Sequence, residues 1–212
     1  MAGIYEQIVQ RYGYNEPIFT NTLKEELDLK PNTFRQTIKR LSDKGLIKKV
    51  TNGIYFVPDK NSVLSSPILS VDKIIDKKFL QDSDGIVGYK TGINFANSLG
   101  LTSQTASVTT IVTNKTASVK RDVTYYNKKI IIRKPKKEIS TQNYKVLQVL
   151  DLLNDYEKLC EEPMGNAKIK ILNYLKDVKI SEADFKECLK PYPDKTKVRV
   201  YESEIDYEIT RR

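Results

Sequence analysis

The chain has 212 residues and a formal net charge of +9, with 36 lysines and arginines against 27 aspartates and glutamates. This length allows one large domain or two small ones, and the absence of histidine removes the commonest general base and the commonest metal ligand. No apolar run reaches the roughly 18 residues of a membrane helix, and residues 1–10 lack the apolar stretch of a signal peptide, so we expect a cytoplasmic protein.

Residues 1 to about 30 carry the pattern of two short helices. Apolar Ile4 and Ile8 recur at helical spacing in the first, which ends near Gly13. Thr22 is followed three residues later by Glu25, which predicts a capping box at the start of the second helix.

A third helix begins at Pro31, because proline is favoured at the first helical position, and Gly45 ends it. Phe34, Ile38 and Leu41 fall on one face of this helix and form its predicted buried stripe. Only a few residues separate it from the second helix, as in a helix-turn-helix.

Polar and basic side chains occupy the opposite face of the third helix. Asparagine and glutamine bond adenine edges in the major groove of DNA, and arginine bonds guanine. The candidate base-reading residues on this face are Asn32, Thr33, Arg35, Gln36, Lys39 and Arg40.

A hairpin follows the third helix directly. Asn-Gly at positions 52–53, between the strands 47–50 and 54–57, is the strongest short hairpin signal. Its candidate phosphate contacts are Lys48, Lys49, Thr51 and Asn52. This order predicts an N-terminal winged helix-turn-helix that binds DNA, over residues 1–60. The alternatives are a small helical domain with a solvated basic face and a winged helix that binds protein.

A linker at about 58–69 leads into a second domain, 61–212. We predict that this domain has a mixed α/β fold with a helical C-terminal part. The whole chain is therefore predicted to be of the α+β class. The predicted strands are Thr105–Asn114, Val123–Tyr126 and Lys129–Arg133, the last with Ile130–Ile132 buried on both faces. The predicted helices cover about 70–80, 89–99, 142–157, 166–178 and 181–190, and the final 16 residues read as a strand or an ordered arm.

The basic segment 115–137 holds nine cations against one acid, with Tyr125 and Tyr126 among them. Cations with aromatics can bind nucleic acid through phosphates and base stacking. A solvated hairpin edge whose lysines deter strand pairing is an equal alternative. The nine cations, which form a candidate toxin-facing or second nucleic-acid surface, are Lys115, Lys120, Arg121, Lys128, Lys129, Arg133, Lys134, Lys136 and Lys137.

Part of the second domain resembles a known family. The residues that carry the resemblance are Ala96, the step Leu99-Gly100-Leu101, Thr102-Ser103-Gln104 after it, and the strand into Thr113-Asn114. These residues, the basic segment and the strand KKIIIRKP, behind a winged helix, resemble the AbiEi-type antitoxins of type IV toxin–antitoxin systems, which also occur as abortive-infection or plasmid-borne regulators. The resemblance covers residues 1–140, and the helical, slightly acidic C-terminus departs from the longer family members.

The resemblance implies an antitoxin that is also an autorepressor. Its winged domain would bind inverted repeats in double-stranded DNA at its own promoter, with two copies assembling there. Its second domain would counteract a nucleotidyltransferase-like toxin without needing a stable complex. The alternatives are a plain transcription regulator whose second domain dimerises or senses a partner, and an enzyme acting on nucleic acid with the winged domain as its targeting module.

Motifs for catalysis are weak. GYKTG near Lys90 lacks the spacing of a phosphate-binding loop, and Asp82 and Asp84 read as residues of a solvated loop. Cys160 and Cys188 form no CxxC pair, have no histidine to activate them, and read as small buried or half-buried side chains. We therefore expect no enzyme activity, no cofactor and no metal.

Overall fold

The computed structural model describes residues 3–59 and 67–211. It is mixed α+β and divides into two units, Met1–Lys77 and Lys78–Arg212. Most of the predicted linker lies outside the described residues, and the division between the units falls later in the chain. Within the described ranges, none of the helices has the length and apolar character needed to cross a bilayer.

In its described residues, the first unit has four helices and an antiparallel sheet with the strand order β1–β3–β2. The helices are α1 (Ile4–Tyr12), α2 (Thr20–Leu27), α3 (Pro31–Asp43) and α4 (Val71–Ile75), and the strands are β1 (Ile18–Phe19), β2 (Lys48–Thr51) and β3 (Ile54–Phe56). The predicted helices and hairpin are therefore present. One apolar core joins them, formed by Ile8, Ile18, Leu23, Phe34, Ile38, Leu41, Ile47 and Val57.

Both predicted ends of α3 are confirmed. Pro31 is its first residue, and Gly45, with φ at +68°, follows its C-cap. The Gly45 N–H donates to the Ser42 carbonyl at 2.9 Å, and the Leu46 N–H donates to the Leu41 carbonyl at 3.0 Å. These two bonds form a Schellman motif, which satisfies the last carbonyls of α3 and turns the chain into β2.

The capping box predicted at Thr22 is wrong. Helix α2 begins at Thr20, its N-cap is Phe19, and no side chain caps it. Strand β1 ends directly before the helix, because Ile18 and Phe19 pair with β3. The Thr20 N–H donates to the Gly53 carbonyl at 3.0 Å, so the hairpin backbone satisfies a donor at the helix start.

The second unit contains a short hairpin, a four-stranded sheet and a set of helices. The strands are β4 (Gln81–Asp82), β5 (Gly85–Ile86), β6 (Gly88–Thr91), β7 (Thr109–Thr113), β8 (Lys120–Tyr125) and β9 (Lys128–Arg133). The helices are α5 (Ile93–Ser98), α6 (Tyr144–Asn154), α7 (Tyr156–Leu159), α8 (Met164–Tyr174), α9 (Glu182–Leu189), α10 (Asp194–Glu202) and α11 (Ile205–Thr210). A π-helix, Asp76–Leu80, follows α4.

The large sheet has the order β6–β7–β9–β8, with β7 and β9 parallel and the other pairs antiparallel. The three predicted strands are confirmed, although the first is shorter than Thr105–Asn114. Tyr89 lies in β6, so the helix predicted over 89–99 begins only at Ile93. In β9, Ile130 and Ile132 are buried but Ile131 is half-buried, so burial on both faces is wrong for this strand.

A close backbone approach fixes the π-helix against the sheet. The Phe79 carbonyl accepts a hydrogen bond from Thr113 Oγ1 at 2.5 Å, and the Leu80 carbonyl accepts one from the Val87 N–H at 2.9 Å. A Cβ on Gly88 would lie 2.5 Å from the Phe79 oxygen and 2.8 Å from the Val112 oxygen. Gly88 is thus a strand residue at a position where any side chain would collide with backbone oxygens.

The tail predicted as a strand or an ordered arm is helical. It forms α10 and α11, and Val200, Ile205 and Ile209 join the core of the second unit. At the start of α9, Ser181 is a side-chain N-cap, since its Oγ accepts from the Asp184 N–H at 3.1 Å and donates to Asp184 Oδ2 at 2.6 Å.

A half-buried carboxylate joins the sheet to the helices in this core. Asp151 of α6 accepts hydrogen bonds from the hydroxyls of Tyr89 and Tyr192, each at 2.9 Å. Burial raises the pKa of Asp151, although hydrogen bonds from Tyr192 and Tyr89 and the charges of Arg133 and Lys136 act to lower it.

Candidate nucleic-acid interface

Helix α3 presents a polar face to solvent. At about 100° per residue, its buried residues Phe34, Thr37, Ile38 and Leu41 fall on one side. All six candidate base-reading residues are exposed. Asn32, Gln36 and Lys39 lie at the centre of the exposed face, Arg35 lies on one flank, and Thr33 and Arg40 lie on the other. The face has the shape and the donors that a major groove accepts.

The cations on α3 and on β2 have no acidic partner among the described residues. Within the described residues, Arg35, Lys39, Arg40, Lys48 and Lys49 form no ion pair and no side-chain hydrogen bond.

Three other cations of the same unit do have acidic partners, whereas Lys24, Lys30 and Lys44 have none among the described residues. Arg11 pairs with Glu26 at 3.2 Å, and Lys73 and Lys77 pair with Glu16 at 2.5 and 2.7 Å. The described cations of this unit that have no acidic partner therefore lie on α2, on α3 and next to its ends, and on β2. This distribution favours a polyanionic partner.

A groove of about 490 Å³ runs beside α3, between α2 and β3. Arg35 and Lys39 line one side of it, and Asn21 and Lys24 of α2 line the other. These two α2 residues are exposed and were missed from the sequence. Asn21 and Lys24 belong to this surface because helix α2 lies beside α3. The spacing of residues in the sequence did not predict that position of α2.

The two hairpin lysines lie on opposite faces of the sheet. Side chains alternate along a strand, and the register pairs Lys49 with Tyr55 and Lys48 with Phe56. Tyr55 lines the groove beside α3, whereas Phe56 is buried. Lys49 therefore lies on the face of the sheet that carries the groove, and Lys48 lies on the other face.

The turn of the hairpin is exposed at Asn52 and Gly53, and Thr51 before it is half-buried. Gly53 adopts a φ of +80°, which favours glycine. Since Thr20 donates to the Gly53 carbonyl, the turn is held beside the start of α2.

The nine cations of the basic segment do not form one surface. The register pairs Lys120 with Arg133 and Thr124 with Lys129, so these four side chains share one face of the large sheet. Arg121, Tyr125 and Lys128 belong to the other face. Lys115, Lys134, Lys136 and Lys137 lie outside the strands.

Several of these cations have partners inside the second unit. The Arg121 guanidinium lies 5.7 Å from the ring centroid of Phe79, and Lys136 Nζ lies 5.2 Å from that of Tyr192. Lys115 donates to the Gln81 carbonyl at 2.6 Å, and Lys129 pairs with Asp122 at 2.7 Å.

The aromatics of the basic segment also differ in accessibility. Tyr125 is buried beneath Lys78, which rules out base stacking on its ring, whereas Tyr126 in the turn is 41% exposed.

The residues that carry the AbiEi resemblance form a helix end and a fixed loop. Gly100, with φ at +66°, ends α5, and the Leu101 N–H donates to the Ala96 carbonyl at 2.9 Å. Ser103 donates to Glu161 Oε2 through its N–H at 2.8 Å and its hydroxyl at 3.0 Å. These contacts hold the loop in place beside Glu161.

Candidate metal ligands and nucleophiles are scarce. No cluster of three or more His, Cys, Asp or Glu residues occurs in the part of the chain that the structure describes. Both cysteines are free, Cys188 is buried and Cys160 is half-buried. Burial raises the pKa of the Cys160 thiol to about 11, so this thiol stays protonated near neutral pH.

Comparison with known proteins gives one match. Residues 24–182 match the model of DUF6088, described as a family of unknown function. The matched range begins within α2 and includes the groove-lining helix α3, the hairpin β2–β3 and the large sheet. No curated protein and no solved structure matches the chain.

Proposed function

The chain belongs to the DUF6088 family, whose function is unknown, and we propose that its first unit is a winged helix-turn-helix that binds double-stranded DNA. In this proposal α2 and α3 are the helix-turn-helix, and the hairpin β2–β3 is the wing. Helix α3 enters the major groove, the usual position of the second helix of this motif.

The observation that carries this proposal is the contrast in ion pairing within the first unit. Arg35, Lys39 and Arg40 on α3 and Lys49 on the wing have no acidic partner among the described residues, while Arg11 on α1, Lys73 in α4 and Lys77 after α4 do. Phosphates supply the missing negative charge and release counterions from DNA.

Base reading belongs to the exposed centre of α3 in this proposal. Gln36 and Asn32 each offer a paired donor and acceptor to adenine, and Arg35 and Arg40 offer paired donors to guanine. Lys24, Lys49 and Lys39 hold phosphates and set the register without reading sequence.

We further propose that the DNA is the protein's own promoter and that the second unit acts as the antitoxin of a type IV system. This part is supported by the resemblance of Ala96, the step Leu99-Gly100-Leu101 and Thr102-Ser103-Gln104 to AbiEi-type proteins. The protein then acts in the cytoplasm by binding, without a catalytic step of its own, against a nucleotidyltransferase-like toxin.

Fluorescence anisotropy tests the DNA-binding part. The full chain is titrated into labelled duplexes from the upstream region of its own gene and into a scrambled duplex of equal length. We expect preferential binding to one upstream duplex and its loss in the triple variant Arg35→Ala/Gln36→Ala/Lys39→Ala. Equal binding of the variant and the parent chain would show that α3 is not the reading helix.

Co-expression tests the antitoxin part separately. The adjacent gene is induced in cells with and without this chain, and growth is measured. We expect the chain to relieve growth arrest, and we expect the triple α3 variant to relieve it as well, since the second unit is unchanged. Growth arrest that persists with the parent chain would refute the antitoxin role and leave the DNA-binding result untouched.

A further inference from the structure

The second unit has a pocket of about 300 Å³ on one face of its large sheet. Thr91 at the end of β6 and Thr110 near the start of β7 are register partners and form part of its floor. Arg133, at the end of β9, lines the same pocket, and Asp155, just after α6, lines it from the helical side.

Four polar side chains of this pocket form no hydrogen bond and no ion pair within the described residues, although the charge of Arg133 also acts on Asp151. The four are Thr91, Ser107, Thr110 and Arg133. Thr91 is only 3% exposed and Arg133 is half-buried. Polar groups at such depth are ordinarily hydrogen-bonded, and convergent polar groups in an otherwise apolar concavity are typical of a ligand site.

Two opposite charges face this pocket without pairing. Arg133 and Asp155 both line it, but no ion pair joins them within the described residues. The Asp155 carboxylate accepts one hydrogen bond, from Asn154 Nδ2 at 3.2 Å, and has further acceptor sites. A ligand with separated positive and negative groups satisfies both side chains at once.

The rest of the wall is apolar. Ile93, Val108 and Leu159 line the pocket beside these polar groups. The volume lies at the lower end of the range for small-molecule sites, about 300–1,000 Å³, which limits the ligand to a small molecule.

We propose that this pocket binds a small zwitterion of the α-amino acid class with an aliphatic side chain. Its carboxylate accepts hydrogen bonds from the Arg133 guanidinium and from the hydroxyls of Thr91 and Thr110. Its ammonium group donates to Asp155, and its side chain packs on the apolar wall. A phosphate monoester fits less well, because Asp155 would repel a dianion and Arg133 is the only cation among the described lining residues.

Amide NMR of the full chain tests the site with four probes. L-leucine carries both charges, 4-methylpentanoate lacks the ammonium group, isopentylamine lacks the carboxylate, and inorganic phosphate represents a simple anion. We expect leucine to shift the amides of Gly92, Ser107 and Val108 in a saturable way and to bind more tightly than the other three probes. Saturable binding of phosphate in place of leucine, equal binding of 4-methylpentanoate, or no saturable shift with any probe would overturn the proposal.

Three variants locate the contacts. Arg133→Gln and Asp155→Asn should each weaken leucine binding about tenfold, the size expected for one hydrogen bond to a charged group, and Asp155→Asn should also remove the preference for leucine over 4-methylpentanoate. Lys120→Gln is the matched control, since Lys120 is the register partner of Arg133 on the same sheet face but does not line the pocket. An equal loss in Lys120→Gln would show that general charge, and not the pocket, governs binding.

Discussion

The backbone N–H of Thr20 donates a hydrogen bond to the carbonyl of Gly53 at 3.0 Å, joining the first residue of α2 to the turn of the hairpin β2–β3, the proposed wing. This bond replaces a side-chain cap at the helix start, where Phe19 has no capping group. It also fixes the wing beside the helix that lines the groove with α3. The geometry of the proposed DNA-binding surface therefore depends on a backbone contact between two elements that lie about thirty residues apart in the chain.

Replacing Gly53 with alanine should loosen the wing. Gly53 has a φ of +80°, and a Cβ there would lie 3.4 Å from Thr20 Oγ1, so alanine is strained in this turn. We expect Gly53→Ala to lower the free energy of unfolding by about 1 kcal/mol and to weaken DNA binding further through the displaced wing. Urea unfolding and anisotropy measure the two effects.

Gly165→Ala is the matched control for this prediction. Gly165 lies in α8, where an added Cβ meets nothing within 4 Å. Alanine is the better helix former, so the control should stabilise the chain by roughly 0.5–1 kcal/mol. A Gly53→Ala chain as stable as the parent would contradict the strain assigned to the turn.

Gln36→Ala should relax sequence preference at one base pair. Gln36 is exposed at the centre of α3, and a lost bidentate contact costs about 1–3 kcal/mol of discrimination. Affinity for the promoter duplex should fall while affinity for the scrambled duplex stays constant. Gln10→Ala is the control, because it removes an exposed glutamine side chain from α1 and not from α3. A comparable fall in the affinity of Gln10→Ala would show that the effect does not depend on α3.

Lys49→Ala should weaken binding to all duplexes alike. Lys49 shares its sheet face with the groove-lining Tyr55, and a lost phosphate contact should reduce the slope of log K against log salt by about 0.9. Lys48→Ala is the control, because its neighbour in the register places it on the opposite face. Equal salt slopes for Lys49→Ala and Lys48→Ala would show that the two lysines contact DNA phosphates to the same extent.

The elements of the first unit could be predicted from local signals in the sequence. Pro31, Gly45 and Asn52-Gly53 act within a few residues of their own positions, and each marks the end or turn that the structure has. The start of α2 could not be predicted in this way. The N–H of Thr20, the first residue of α2, donates to the carbonyl of Gly53 in the hairpin. The helix therefore starts before Thr22, and the capping pattern at Thr22 does not mark its first turn.

The second unit shows the same limit for sites. A count of cations along residues 115–137 indicated one surface, but strand alternation divides them between two sheet faces. Arg133 then shares a pocket with Thr91 and Asp155, which lie more than twenty residues away on either side of it in the chain. The pairing of β6, β7 and β9 brings Thr91 and Arg133 together, and the packing of α6 against β6 adds Asp155.

Gly88→Ala should destabilise the second unit strongly. The new Cβ would lie 2.5 and 2.8 Å from two backbone oxygens, which cannot move as a flexible side chain can. We expect a loss of about 1–3 kcal/mol, typical of overpacking, measured by urea unfolding with Gly165→Ala as the control. An unchanged midpoint would mean that the π-helix can shift away from β6 at little cost.

Asp151 should make stability depend on pH. Burial raises its pKa in the folded chain above the ordinary value of 3.8. Between that ordinary value and the raised one, the folded chain keeps a proton that the unfolded chain has lost, so this residue's contribution to stability falls as pH rises through that window.

Asp151→Asn removes this dependence, because asparagine stays neutral while its amide still accepts from one tyrosine hydroxyl and can donate to the other. We expect the variant and the parent chain to have similar free energies of unfolding near pH 4 and the variant to be the more stable at pH 7, as measured by urea unfolding across that range. Asp194→Asn removes the same charge from a side chain that is 92% exposed and controls for net charge. If the difference in free energy of unfolding between the parent chain and Asp151→Asn does not change with pH, then Asp151 has the same pKa in the folded and unfolded states.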